Sequence, residues 1–432
     1  MQPKLPHFLP KTKRVIFIYV SGGPSTLDLF DPKPLLQKYD GRAAPFEIKG
    51  RALNGSQRVL ATPWRFQRFG ETGRPVSELL PQFSRVVDEI AFVRSMTTDR
   101  VDHSTAQFTF VTGRGITGFP SLGSWIAYGL GTENQNLPAF IALENGAATI
   151  QTRAYSSAWL PPIYSGTKMV ANPESPMFDI QRPKDLSAAG QASLLAAIQG
   201  LNRAHKARYP LDQDLESRIA NYELAARMQL EAMQVADLAK ETDATRKLYG
   251  LEDPVAAPFG RNCLLARRLV ESGVRFVTII NSSGGGTDWD THNNIRDSLP
   301  KLGHSIDRGL YALIFDLKSR GMLEETLVVW SGEFGRLPTI EAENQRPGRD
   351  HNPFGFTMWM AGGGVKPGAD YGLTDELGYA ALPEYKLTHS DIHATIQHLC
   401  GLDWQKNTFE YEGRNESLVG VNPARVVKEI LT

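Results

Sequence analysis

Val15-Ile16-Phe17-Ile18-Tyr19-Val20, followed at once by Ser21-Gly22-Gly23-Pro24, is the stretch on which the fold turns. A short continuous apolar run rich in β-branched and aromatic residues, ending in glycines, reads as a strand buried on both faces, the kind found in parallel sheets. Three further runs have the same character: Glu89 to Val93, Val274 to Ile280 and Thr326 to Trp330. Leu264, Leu265, Leu269 and Val270 fall at helical spacing before the third run. Ile306, Leu310, Leu313, Ile314 and Leu317 do the same before the fourth. Helix followed by strand, repeated, predicts an α/β domain with a mostly parallel sheet covered on both faces. In such sheets ligands bind beyond the carboxyl ends of the strands, so the polar residues after each strand are the ones to inspect.

Outward from that core, residues 183–249 are rich in Ala, Leu, Gln, Glu and Lys. Leu194, Leu195, Ile198 and Leu201, then Ile219, Leu224, Met228, Leu230 and Met233, predict amphipathic helices broken near Tyr209-Pro210. We read this segment as a helical insertion within one domain spanning residues 1–432. With 47 basic and 47 acidic residues the formal charge is zero, and no basic stripe marks a nucleic-acid surface. No apolar run approaches the roughly 18 residues needed to span a bilayer. The basic, proline-rich start MQPKLPHFLPKTKR leads into a strand rather than a cleavage site, so no export signal is evident; the compartment stays open, periplasmic if a leader was trimmed and cytoplasmic otherwise. Cys263 and Cys400 cannot build a disulfide framework, and their apolar surroundings predict buried thiols.

The strand ends carry the chemistry. After the first strand, Asp28 and Asp31 lie in Ser25-Thr-Leu-Asp-Leu-Phe-Asp, where a carboxylate can hold a cation or cap the loop. After the second, Asp102-His103-Ser104-Thr105 offers a histidine beside two hydroxyls, either as a nucleophile with its base or as a helix cap. After the third, Asp288-Trp289-Asp290-Thr291-His292 follows a glycine run; imidazole with carboxylate suits zinc, manganese or iron. After the fourth comes Ser331-Gly-Glu333-Phe-Gly-Arg336, and eighteen residues beyond Glu333 stands His351 in Gly348-Arg349-Asp350-His351. Arg336 and Arg349 can bind an anionic substrate, because a guanidinium matches paired oxygens. A last cluster, Thr388-His389-Ser390-Asp391, reads as a capped helix start.

Taken in order, GGPSTLDLFDPKP, DHSTAQFTFVTGR, WDTHNN, SGEFGRLP, GRDHNP and HSDIHATIQHLCGLD resemble the sulfatase-like domain-of-unknown-function family fifteen-oh-one of the alkaline phosphatase superfamily, from about Lys13 to the C-terminus. The resemblance implies an alkaline-phosphatase-like α/β sandwich holding one or two divalent ions (zinc, manganese, calcium or magnesium). It also implies hydrolysis of a small anionic ester or of a sulfated or phosphorylated glycan. On it, Asp28, Asp288 or Asp290, His292, Glu333 and His351 are expected as metal ligands, His103 and Ser104 as catalytic residues, and Arg336 and Arg349 as substrate-binding. Relatives of this kind often carry a twin-arginine leader upstream of a segment like that starting at Pro6. Sulfatases carry an oxidisable Cys or Ser nine residues before a Thr-Gly; here that position is His103 and neither cysteine is near. The expectation is a metal-dependent phosphate or sulfate ester hydrolase without formylglycine, the alternative being a non-catalytic metal- or anion-binding protein on the same fold.

Overall fold

Arg14–Val20 is a strand whose alternation divides the molecule. In the computed structural model, which describes residues 1–48, 57–145, 151–178, 180–181, 185–209, 213–282, 289–341 and 346–432, Ile16, Ile18 and Val20 enter one apolar core. Val15, Phe17 and Tyr19 enter another on the opposite face. Side chains of a strand point alternately to the two faces, so a run apolar at every position requires a core on each. Helices Ala257–Glu271 and Ile295–Ser319 supply the first core; His103–Thr112, Leu122–Leu130 and His389–Leu399 supply the second.

Among the described residues the central sheet has nine strands. Its path runs Asp370–Tyr371, Ile90–Thr97, Phe356–Ala361, Thr326–Ser331, Arg14–Val20, Phe276–Asn281, Phe140–Asn145, Thr167–Met169, and Leu387–Thr388 also pairs with Ile90–Thr97. Arg14–Val20 is parallel to both of its neighbours, with Val20 opposite Asn281 and Tyr19 opposite Ser331. Phe356–Ala361 alone runs antiparallel to the strands beside it. The sheet is therefore mostly parallel, and the carboxyl ends of Arg14–Val20, Ile90–Thr97, Phe276–Asn281 and Thr326–Ser331 face one side.

Segment 183–249 contributes helices Ala188–Arg208 and Gln213–Ala236. Met228, Ala232 and Val235 of the second join the first core. The first helix departs from expectation: Leu194, Ile198 and Leu201, read as its buried stripe, are exposed. No helix among the described residues is long and apolar enough to cross a membrane.

Both cysteines are free and buried, Cys263 in the first core and Cys400 in the second. Burial pushes the Cys263 thiol well up and the Cys400 thiol to about 12, and only the thiolate reacts with electrophiles. Native protein should therefore resist a polar alkylating reagent at neutral pH, with both thiols labelled only after denaturant is added. Rapid labelling of either in native protein, read by mass spectrometry, would contradict this placement.

Candidate metal centre

The centre is built where the strand-end loops are pressed together, and two glycines permit it. Gly22 has φ +114 and Gly23 φ +68; a Cβ on Gly22 would lie 2.7 Å from the Asp290 amide nitrogen, and one on Gly23 would lie 2.6 Å from the Phe334 ring. Only glycine fits such a turn at such an approach. Gly22 N–H donates to Glu333 Oε1 at 3.0 Å, and Arg336 Nε donates to Gly23 O at 2.8 Å, so the turn is held from both sides.

His103 is the first residue of helix His103–Thr112. Asp102 caps that helix, accepting from the Thr105 amide at 3.0 Å and from the Thr105 hydroxyl. The cap aims His103 at Asp290. His103 Nε2 lies 3.1 Å from Asp290 Oδ2, while Asp290 Oδ1 lies 2.8 Å from His292 Nε2 and 3.2 Å from His351 Nε2. His292 Nε2 and His351 Nε2 are 3.0 Å apart. One donor atom from each of these four residues falls within 4.8 Å of all the others.

Each imidazole is anchored from behind. His103 Nδ1 meets Glu333 Oε1 at 2.7 Å, His351 Nδ1 meets Val101 O at 2.7 Å, and His292 Nδ1 meets Glu341 Oε2. A carbonyl can only accept, as can an ionised carboxylate, so each Nδ1 is the donor and each neutral Nε2 presents a lone pair. Three lone pairs and a carboxylate then converge on one point, with His103 Nε2 only 3.1 Å from Asp290 Oδ2. Lone pairs facing one another at 3.0 Å repel unless a cation or a proton lies between them. Nε2 inward with Nδ1 held by a carboxylate or carbonyl is the arrangement that orients metal-ligating histidines. These residues therefore fit a divalent transition metal of the imidazole-preferring kind.

The electrostatics agree. Burial works against a charged Asp290, but the three imidazoles and Arg336 hold its carboxyl far below the usual carboxylate range. Burial also opposes a charged His103, yet hydrogen bonds to Asp290 and Glu333 lift it to about 9. His351, more deeply enclosed, is driven downward by burial. Without a cation the cluster keeps a proton at neutral pH, which a metal would displace.

Several expected residues stand elsewhere. Glu333 is fully buried behind His103, accepting from Tyr19 Oη at 3.0 Å and from Gly22 N–H, and is not one of the four converging donors. Asp28, also fully buried, is gripped by Arg349 through Nε to Oδ2 at 2.9 Å and Nη2 to Oδ1 at 3.1 Å, with the Ser25 hydroxyl at 2.6 Å, and so lies outside the donor group. Arg349 is thereby spent on a buried ion pair and on Leu337 O rather than on a substrate. Arg336, likewise enclosed, donates to Gly22 O, Gly23 O, Arg349 O and Asp290, which takes up four of its five N–H groups. Asp288 lies outside the described residues. Ser104 is exposed on the first turn beside His103.

Glu341, which the sequence reading missed as a site residue, joins His292 and Asp350 in a second, adjoining group of donors. The signal for it was the long polar loop ending in Asp350-His351. The four candidate ligands come from three segments: His103 opening its helix, Asp290 and His292 after Phe276–Asn281, and His351 in a two-residue ladder with Arg336.

A family model described as "Protein of unknown function (DUF1501)" matches residues 12–431. No curated protein matches the chain in sequence. Among solved structures, the chain is similar to a phosphonate monoester hydrolase from Silicibacter pomeroyi, with 10% identity, a TM-score of 0.42, and coverage of 98% of this chain and 77% of that one. It is also similar to the PsFucS1 sulfatase from Pseudoalteromonas sp., with 11% identity, a TM-score of 0.36 and coverage of 90% and 68%. An alkaline phosphatase from the Antarctic bacterium TAB5 gives 11% identity, a TM-score of 0.36 and coverage of 84% and 94%. These likenesses carry no residue role and no substrate into this chain.

Proposed function

We propose, from the premise that this chain belongs to the DUF1501 family, that it is a metal-dependent hydrolase of phosphate or sulfate esters, built as one domain with the 183–249 helices inserted. The observation that carries the reading is the convergence of His103, Asp290, His292 and His351 with every Nδ1 held from behind. A divalent ion held there would supply Lewis acidity towards an ester oxygen and would ease ionisation of the attacking group at neutral pH.

The chain's own residues do the positioning. Glu333 fixes the ring plane of His103 and is itself fixed by Tyr19 and Gly22. Arg336 ties Asp290 to the Gly22-Gly23 turn, so the carboxylate keeps one orientation. His103, Asp290 and His292 retain side-chain exposures of 17%, 21% and 29%, which leaves one side of the cluster open to a ligand.

Turnover should be measured on phosphomonoesters, phosphodiesters and sulfate esters with zinc, manganese, magnesium or calcium. Asp290→Asn should remove it. Ser104→Ala should retain most of it, because no hydrogen bond among the described residues joins Ser104 to the cluster. Fully loaded protein that hydrolyses no ester would favour the binding protein instead. Turnover lost in Ser104→Ala with metal content unchanged would make that hydroxyl the nucleophile.

A further inference from the structure

A second cavity of about 320 Å³ opens beside the metal centre, between the loop that follows Ile90–Thr97 and the start of helix His389–Leu399. Asp99, Arg100, Arg114, Lys386, His389 and Ser390 line it. Thr109, on its wall, stands six residues after His103 on the same helix. At 1.5 Å per residue that is about 9 Å along the axis, so the two sites are neighbours but distinct.

The cationic lining is unequally committed. Arg114 is used by the carbonyls of Ser417, Leu418 and Val419. Arg100 has only an ion pair with the exposed Asp99 at 3.2 Å, and its buried Nε lacks an aligned acceptor. Lys386 is exposed, with no ion pair among the described residues. Gly115 makes room for the Arg100 guanidinium, since a Cβ there would lie 2.7 Å from its Nε.

His389 supplies an independent sign of a ligand. It is 2% exposed and lines the cavity, yet neither ring nitrogen has a hydrogen-bond partner among the described residues. A buried polar group left unmatched loses its water without compensation. A neutral imidazole has one donor and one acceptor to offer, and burial holds this one neutral by depressing its pKa to about 3. Thr388 and Asp391 cap the helix through a capping box at the third residue, which leaves the amides of His389 and Ser390 outside the cap. The ligand must therefore bring both an acceptor of positive charge and a hydrogen-bond donor.

We propose that this cavity binds the oxyanion group of a hydroxylated small molecule, Arg100 and Lys386 meeting the charge while His389 and Ser390 meet a hydroxyl. The site needs no metal, so it stands or falls apart from the hydrolase reading.

Calorimetric titration of the full chain with glucuronate, inorganic sulfate and glucose tests it. Glucuronate should bind. Arg100→Gln and Lys386→Glu, both at exposed side chains, should each weaken it roughly tenfold or more. Gly115→Ala should do the same by displacing the guanidinium, whereas His351→Ala, which strips the metal centre, should leave it unchanged. The proposal is overturned if glucuronate fails to bind, if glucose binds as tightly, or if the Arg100 and Lys386 variants match the wild type. It also fails if His351→Ala is the variant that loses binding. Sulfate as tight as glucuronate would remove the hydroxyl from the recognition.

Discussion

His351→Ala should abolish stoichiometric binding of a divalent transition metal, and Glu333→Gln should weaken it by about 10–100-fold: that contrast is the largest effect expected of this protein. His351 is 1% exposed, its Nδ1 fixed by Val101 O and its Nε2 within 3.2 Å of Asp290, so no other residue can take its place. Of the converging donors Glu333 meets His103, and from behind, and loss of an outer-shell partner of a metal ligand costs about that 10–100-fold. Metal content by plasma emission and affinity by competition with a chelator read both variants. Equal loss in the two would return Glu333 to the ligand set; no loss in either would remove the metal from this site altogether.

The second large effect is on stability. Asp28 and Arg349 form a two-pronged ion pair with side-chain exposures of 0% and 1%. Removing one partner of a buried pair strands the other charge in the interior, at a cost of about 3–5 kcal/mol, whereas replacing both by neutral groups of similar size is often tolerated. Arg349→Met should lower the unfolding free energy by that amount, read as a fall in the denaturant midpoint at unchanged slope, and adding Asp28→Asn should recover most of it. If Arg349→Met left the midpoint unchanged while abolishing binding of an anionic ester, Arg349 would be the substrate clamp its sequence suggests.

These cases show what the sequence makes legible. Strands with unbroken apolar runs, such as Val15 to Val20 within Arg14–Val20 and Leu327 to Trp330 within Thr326–Ser331, declare a sheet covered on both sides, and each was readable to within a residue or so. Phe356–Ala361 was not, because Phe-Thr-Met-Trp-Met-Ala has a single β-branched residue and its strand identity comes from its neighbours on the sheet. Likewise Leu194, Ile198 and Leu201 have helical spacing, but spacing cannot tell which face of a peripheral helix meets the protein.

At the candidate site, the fold does bring polar residues from several strand ends together, since loop position follows from topology. Their roles were not legible, because a carboxylate beside an arginine and a carboxylate beside histidines look alike in one dimension. Asp28 went to Arg349 and Asp290 to three imidazoles for reasons that exist only once the loops are packed.

That packing gives the donor ring a second meaning. Its members lie near residues 103, 290 and 351, far apart along the chain, and they meet only after the sheet has formed. A cation held by them is a cross-link closing loops of great length, available to the native state and absent from the unfolded one. The two thiols, buried in separate cores on opposite faces of the sheet, offer no such closure. Coordination at this site would do for the ends of the sheet what a disulfide does in a secreted domain, and a chelator would reverse it.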